Sequence, residues 1–132
     1  MARGLLDTNI LIDSAALVAV SGDIDKYVSS TIVRSELVYG LQTREPGSAA
    51  RSNRQKLIEL LDSLNGFWLP FDLNASQAYG ALTARPNSAM REKDTLIAAQ
   101  ALSLDLPVVT NDHGFSRFEG VVMHRIQAAP PA

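Results

Sequence analysis

The stretch Leu6-Asp7-Thr8-Asn9-Ile10-Leu11-Ile12-Asp13 decides how this chain is read. A short apolar run leads into it and predicts a first strand over residues 2–7. A helix is expected to start near Ile10, after the Asp-Thr-Asn turn. An acid at such a strand-to-helix junction stands at the edge where open α/β sheets bind their ligands.

Outward from that junction, short β-rich apolar runs alternate with longer helical patterns. This predicts an α/β chain, with β-α units around a mostly parallel central sheet of about five strands. Residues 27–31 read as the second strand, with Ser30 or Thr31 capping a helix over 33–41. Residues 42–52, with Pro46, Gly47 and Ser48, read as a loop. Leu57, Ile58, Leu61 and Leu64 make the stripe of a half-buried helix, and Gly66 stands where its C-terminal turn belongs. Residues 67–71 predict a third strand, which Pro70 marks as an edge strand or a short one. Asp72 or Asn74 can cap a helix over 75–84, and Pro86-Asn87-Ser88 breaks it. A further helix is expected over 92–104, strands over 107–111 and 121–124, and a frayed tail over 127–132.

The 132 residues suit one domain spanning the chain, and 46% hydrophobic with 20% charged residues is the composition of a folded one. No apolar run approaches the roughly 20 residues that cross a bilayer, so no membrane partner is expected. The first residues lack the pattern of a signal peptide, which leads to a cytoplasmic expectation. With no cysteine there is neither a disulfide frame nor a thiolate ligand or nucleophile. A net charge of −2 argues against a general nucleic-acid coat protein. It leaves room for a nuclease, whose clustered acids a divalent cation would offset.

Four acids fall where β-α units deliver their loops. Asp7 ends the first strand, and Asp112 lies just past the fourth. Glu36 lies about one turn into the helix after the second strand, and Asp94 in the first turn of the helix leading into the fourth. Each alone also reads as a cap, a turn former or a surface charge; it is the combination that points to a site. Carboxylates gathered within several ångströms raise one another's pKa and are costly without a cation. Oxygen-only donors favour Mg2+, with Mn2+ the alternative, over Zn2+. Such an ion suits phosphodiester hydrolysis, because it lowers the pKa of a water and stabilises charge on phosphate oxygens.

Taken together, Leu6 to Asp13, Ser35-Glu36-Leu37-Val38-Tyr39-Gly40, Asp94 to Ala101 and Val109-Thr110-Asn111-Asp112 resemble the PIN-domain family. The resemblance is strongest to the VapC-type ribonuclease toxins of bacterial toxin–antitoxin pairs, and it spans nearly the whole chain. It implies a PIN-like three-layer fold and a Mg2+-dependent endoribonuclease. Asp7, Glu36, Asp94 and Asp112 match the family's four acids, as catalytic residues and metal ligands. Thr8 and Thr110 match positions where a hydroxyl orients the site, and Asn111 is a candidate for similar work. The resemblance also implies an RNA substrate, a homodimer and a cognate antitoxin protein, with DNA met only indirectly through the antitoxin.

Arg85, Arg91 and Lys93 lie just before Asp94 and are candidates for RNA phosphate contacts. Arg44, Arg51, Arg54 and Lys56 read more readily as a solvated face. A non-enzymatic phospho-acceptor signalling domain shares this length and α/β order, but it wants an early acid pair and a Lys after the last strand. A haloacid-dehalogenase-like phosphatase wants Asp-x-Asp where this chain has Asp7-Thr8-Asn9. A PIN scaffold kept only for binding would have no need of all four acids.

Overall fold

The structure, a computed structural model, describes residues 2–84 and 92–126. The triplet Gly4-Leu5-Leu6 is buried along its length and forms β1 (Gly4–Leu6), the middle strand of the sheet. A strand covered on both faces has no polar alternation, which is why it reads as a continuous apolar run. It stops short of Asp7 because the Asp7 carboxylate accepts from the Thr8 amide and caps α1 (Thr8–Ile12). The single helix expected near Ile10 is two helices. Asp13 takes extended backbone, accepts from the amides of Ala15 and Ala16, and opens α2 (Ser14–Ser21).

A 3-10 turn at Ile24–Lys26 leads into β2 (Tyr27–Ser30). Ser30 rather than Thr31 caps the next helix, accepting from the Ile32 amide at 2.9 Å, so α3 (Thr31–Gln42) is longer than residues 33–41. The loop expected through residue 52 gives way to helix at residue 49. There Ser48 accepts from the Arg51 amide at 3.1 Å and starts α4 (Ala49–Asp62). A capping serine before two alanines outweighs the polar composition. Gly66 takes φ +74°, the left-handed turn that glycine favours, on the way into β3 (Trp68–Leu69).

Asp72 caps α5 (Leu73–Thr83), α6 (Glu92–Leu104) runs as expected, and β4 (Val108–Val109) and β5 (Met123–His124) are shorter than their apolar runs. A second 3-10 helix, His113–Arg117, joins these last two strands. The break expected at residues 86–88 and the tail expected at 127–132 lie outside the described residues.

The strand order is β3-β2-β1-β4-β5, and every pairing is parallel. β3 is an edge strand, in keeping with Pro70. The chain builds outward from β1 to β3, then crosses back to lay β4 on the other side of β1. The order therefore switches between β1 and β4, where Leu5 pairs with Val108 and Leu6 with Val109. This contact is close: a Cβ added at Gly4 would collide with Val109 Cγ2 and lie 3.2 Å from the Pro107 carbonyl.

Helices flank the sheet, with α1 packed on α2, α3 on α4 and α5 on α6. Leu5, Leu6, Ile10, Val33, Leu37 and Ile97 are fully buried between them. Each such side chain contributes about 1.5–3 kcal/mol of hydrophobic stabilisation, so β1 is held by its neighbours on both faces. Among the described residues no helix is long and apolar enough to cross a membrane.

Candidate active site

Asp7 stands at the carboxyl end of the middle strand, at the switch in strand order, and is 4% exposed. Its Oδ1 accepts from the Thr8 amide at 2.8 Å. Its Oδ2 accepts from the Thr110 hydroxyl at 2.9 Å and from Asn9 Nδ2 at 3.3 Å. The Thr110 oxygen in turn accepts from Asn9 Nδ2 and from the Asp112 amide, both at 3.0 Å. With one proton given and two received, that hydroxyl is saturated and its proton is committed to Asp7. Burial pushes the Asp7 carboxyl above its ordinary pKa. The Thr8 and Thr110 hydrogen bonds oppose this, and the charges of Asp94 and Glu36 add to it.

Glu36 reaches the same place from α3. Its Oε1 accepts from the Thr8 hydroxyl at 2.5 Å, and its Oε2 lies 2.8 Å from the Lys93 ammonium. Thr8 thus serves two acids, Asp7 through its amide and Glu36 through its hydroxyl. Asp94, 2% exposed in the first turn of α6, lies 4.0 Å from Lys93 Nζ through Oδ1 and 3.8 Å from Arg117 Nη2 through Oδ2. Partial burial disfavours the Lys93 ammonium. The hydrogen bond and charge of Glu36, with the charges of Asp94 and Asp7 behind it, outweigh that and raise its pKa. Lys93 is therefore within electrostatic reach of three acids.

Asp112 lies at the same edge, linked to Asp7 through Thr110. Its own Oδ1 accepts from the Gly114 amide at 2.8 Å and caps the second 3-10 helix. Asn111 points elsewhere: its side-chain oxygen accepts from the Ile126 amide at 3.2 Å, tying down the chain after β5. The amide that touches the acids belongs to Asn9, which also accepts from the Asn111 backbone at 3.3 Å. Asn9 was legible as part of Asp-Thr-Asn, since a short polar side chain two residues past a strand end commonly folds back on it. Arg117 had no sequence signal; only the 3-10 turn brings it to Asp94.

Of the basic candidates, Arg85 and Arg91 lie outside the described residues. The other cluster is occupied with backbone at the end of α3. Arg44 donates to the Gly40 carbonyl at 2.5 Å, Arg51 to the Arg44 carbonyl at 3.0 Å, and Arg54 to the Leu37 carbonyl at 3.5 Å. Cations at a helix C-terminus meet its carbonyls and its dipole. A cavity of about 410 Å³ opens nearby, lined by Leu11, Leu17, Arg54 and Leu57 among others, and none of the four acids lines it.

Three acids from β1, α3 and α6 thus face one another at the switch point, with the fourth one residue contact away. As the side chains stand, no three Asp, Glu or His groups among the described residues are spaced to hold one ion. Among the described residues, the cation within reach of all three acids is the Lys93 ammonium. The donors are all oxygen, two acids are almost fully buried, and burial, with a smaller push from the neighbouring acids, raises the pKa of Asp7. That donor set fits a hard divalent cation.

Residues 4–121 match the model of the PIN domain. The chain belongs to the PIN-domain family. Its PIN domain is 31% identical, over 140 residues, to VapC ribonuclease Y4jK of Sinorhizobium fredii, covering 97% of this chain and 99% of that relative. The same PIN fold is found in the crystal structure of VapBC-5, a toxin–antitoxin family member from Mycobacterium tuberculosis. That match has 26% identity and a TM-score of 0.76, and it covers 97% of this chain and 100% of that one. DNA-bound VapBC from Salmonella typhimurium contains a similar chain, with 25% identity, TM-score 0.78, and coverage of 96% and 100%. This PIN domain is of the VapC type. The expected PIN-like fold is what is observed, with a five-stranded parallel sheet flanked by helices. Membership sets aside the phospho-acceptor and phosphatase alternatives.

Proposed function

We propose that this protein is a Mg2+-dependent endoribonuclease that acts as the toxin of a toxin–antitoxin pair, with residues 1–132 forming one PIN domain. The carrying observation is the convergence of Asp7, Glu36 and Asp94, from three different elements, at the sheet's switch point. Asp7, Glu36, Asp94 and Asp112 would hold the ion. Once bound, Mg2+, or Mn2+ in its place, supplies activation of a water and neutralisation of charge on phosphate oxygens.

The chain's own residues do the rest. Thr110 and Asn9 fix the Asp7 carboxylate, and Thr8 fixes Glu36. The near-complete burial of Asp7 and Asp94 keeps bulk water from screening them. Arg117 lends a fixed positive charge behind Asp94. Lys93, with Arg85 and Arg91, stands on the segment that would meet RNA phosphates. A cognate antitoxin partner is supported by the similarity to chains of VapBC complexes. Contact with DNA through that antitoxin, a homodimer and a cytoplasmic location complete the reading.

The test is cleavage of RNA by the purified protein with Mg2+, with EDTA, and as the Asp94→Asn variant. Cleavage that needs Mg2+ and disappears in the variant is expected. Undiminished cleavage by Asp94→Asn would refute the assignment.

A further inference from the structure

Among the described residues, three carboxylates meet two cations in this site, and the two cations are held very differently. Arg117 is pinned: its Nη1 donates to the Gly114 carbonyl at 2.8 Å, and its guanidinium lies 4.8 Å from the centre of the Phe118 ring. Lys93 hangs on its own flexible four-carbon stem, its side chain is 42% exposed, and it makes a 2.8 Å ion pair with Glu36 Oε2 and a longer one of 4.0 Å with Asp94 Oδ1. A lysine ammonium has no fixed fork to satisfy and can swing to water without leaving a planar group stranded. The other Glu36 oxygen is held by Thr8 at 2.5 Å, so Glu36 keeps its place when Lys93 moves.

We propose that Lys93 is a built-in counter-ion that competes with the divalent cation for Glu36 and Asp94, and so sets the cation concentration at which the site fills. The inference rests on the metal-site reading above and adds to it. Without the ion, the ammonium lies against Glu36 and near Asp94 and offsets the repulsion among the acids. With the ion, the two positive charges oppose each other, and the flexible one turns outward toward solvent. Arg117, which cannot turn, stays. Binding two ligands that exclude each other is a coupling between them, and couplings of this kind commonly amount to about 5–150-fold in affinity.

The experiment is a calorimetric titration of Mn2+ into wild type, Lys93→Met and Lys93→Arg, alongside thermal unfolding of each with and without Mn2+. Methionine keeps much of the stem and removes the charge. Lys93→Met is expected to bind Mn2+ on the order of tenfold more tightly than wild type. It should unfold at a lower temperature without metal and show a larger rise in Tm on adding Mn2+. Lys93→Arg, which keeps the charge, is expected to bind no more tightly than wild type. Equal affinity in wild type and Lys93→Met, or weaker binding by Lys93→Met, overturns the proposal and leaves the metal site standing. Failure of all three proteins to bind Mn2+ overturns both. Because the readouts are affinity and Tm, a variant that has lost RNA cleavage still reports.

Discussion

The Thr110 hydroxyl donates to Asp7 Oδ2 at 2.9 Å, joining residues 103 positions apart in the chain. The bond exists because β4 lies beside β1 in parallel, so the two strand ends emerge side by side. Thr110→Val keeps the shape and removes the hydroxyl. It removes the hydroxyl that the Asp112 amide donates to, and the shorter of the two donors to Asp7 Oδ2. With Asp7 as the proposed metal ligand, Thr110 is its outer partner, and losing such a partner costs about 10–100-fold in affinity or activity, so RNA cleavage by Thr110→Val is expected to fall in that range. Steady-state cleavage against Mg2+ concentration checks it, and an unchanged curve would show Thr110 to be a bystander.

Asp7→Asn separates stability from activity. The Asp7 pKa is raised chiefly by burial, so the folded state takes up a proton more readily than the unfolded one. Its cost to stability is therefore present above the raised pKa and relieved as pH falls through it. Removing the charge is expected to raise the Tm of the metal-free protein at neutral pH, with the gain shrinking in acid. On the proposed role of Asp7 as a ligand, cleavage is expected to fall by at least about 100-fold, more than for an outer partner. Thermal scans from pH 7 to pH 4, paired with the nuclease assay, measure both.

Gly4→Ala tests the closeness of β1 and β4. The added methyl meets the stiff, fully buried Val109 side chain on one side and backbone on the other. Overpacking of this kind costs about 1–3 kcal/mol. A lower urea midpoint with an unchanged m-value is expected. No shift would mean the strands separate more easily than their packing implies.

The placement of the four acids in the fold was legible in the sequence: Asp7 follows β1, Glu36 lies on α3, Asp94 is in the first turn of α6 and Asp112 lies past β4. Ser30, Asp72 and the all-parallel sheet follow from the same local rules. What escaped was decided by which local caps form and by tertiary placement. Asp13 splits the first helix because its carboxylate caps two amides, a choice that composition leaves open. Residues 49–52 are helical because Ser48 caps them, against the polar trend. Arg117 reaches Asp94 only through the turn of a 3-10 helix, and Asn111 faces Ile126 although its position in the chain beside Asp112 suggested otherwise.

Asp62 offers a pH test away from the site. Arg34 binds it through two hydrogen bonds of 2.9 and 2.8 Å, and Trp68 Nε1 adds a third at 2.8 Å. The Arg34 hydrogen bonds lead the causes that hold the Asp62 carboxyl below the ordinary range. A depressed carboxyl stabilises the fold above its unfolded pKa, and that stability is lost as pH falls through the folded one. Both side chains are more than a third exposed, so water screens the pair and its worth stays below about 1 kcal/mol. Asp62→Asn is expected to lower the Tm slightly at pH 7 and to match wild type well below about pH 3.9. A difference that persists in acid would point to packing instead.

The β1–β4 pairing also governs when the acidic site is completed. Polypeptides leave the ribosome amino end first, so β1 waits with one flank uncovered until residues 108 and 109 have been made. Pairings this distant along the chain form late. Asp7 thus gains Thr110 only after the residues through β4 have emerged, so the carboxylate at the end of β1 is positioned long after it is made.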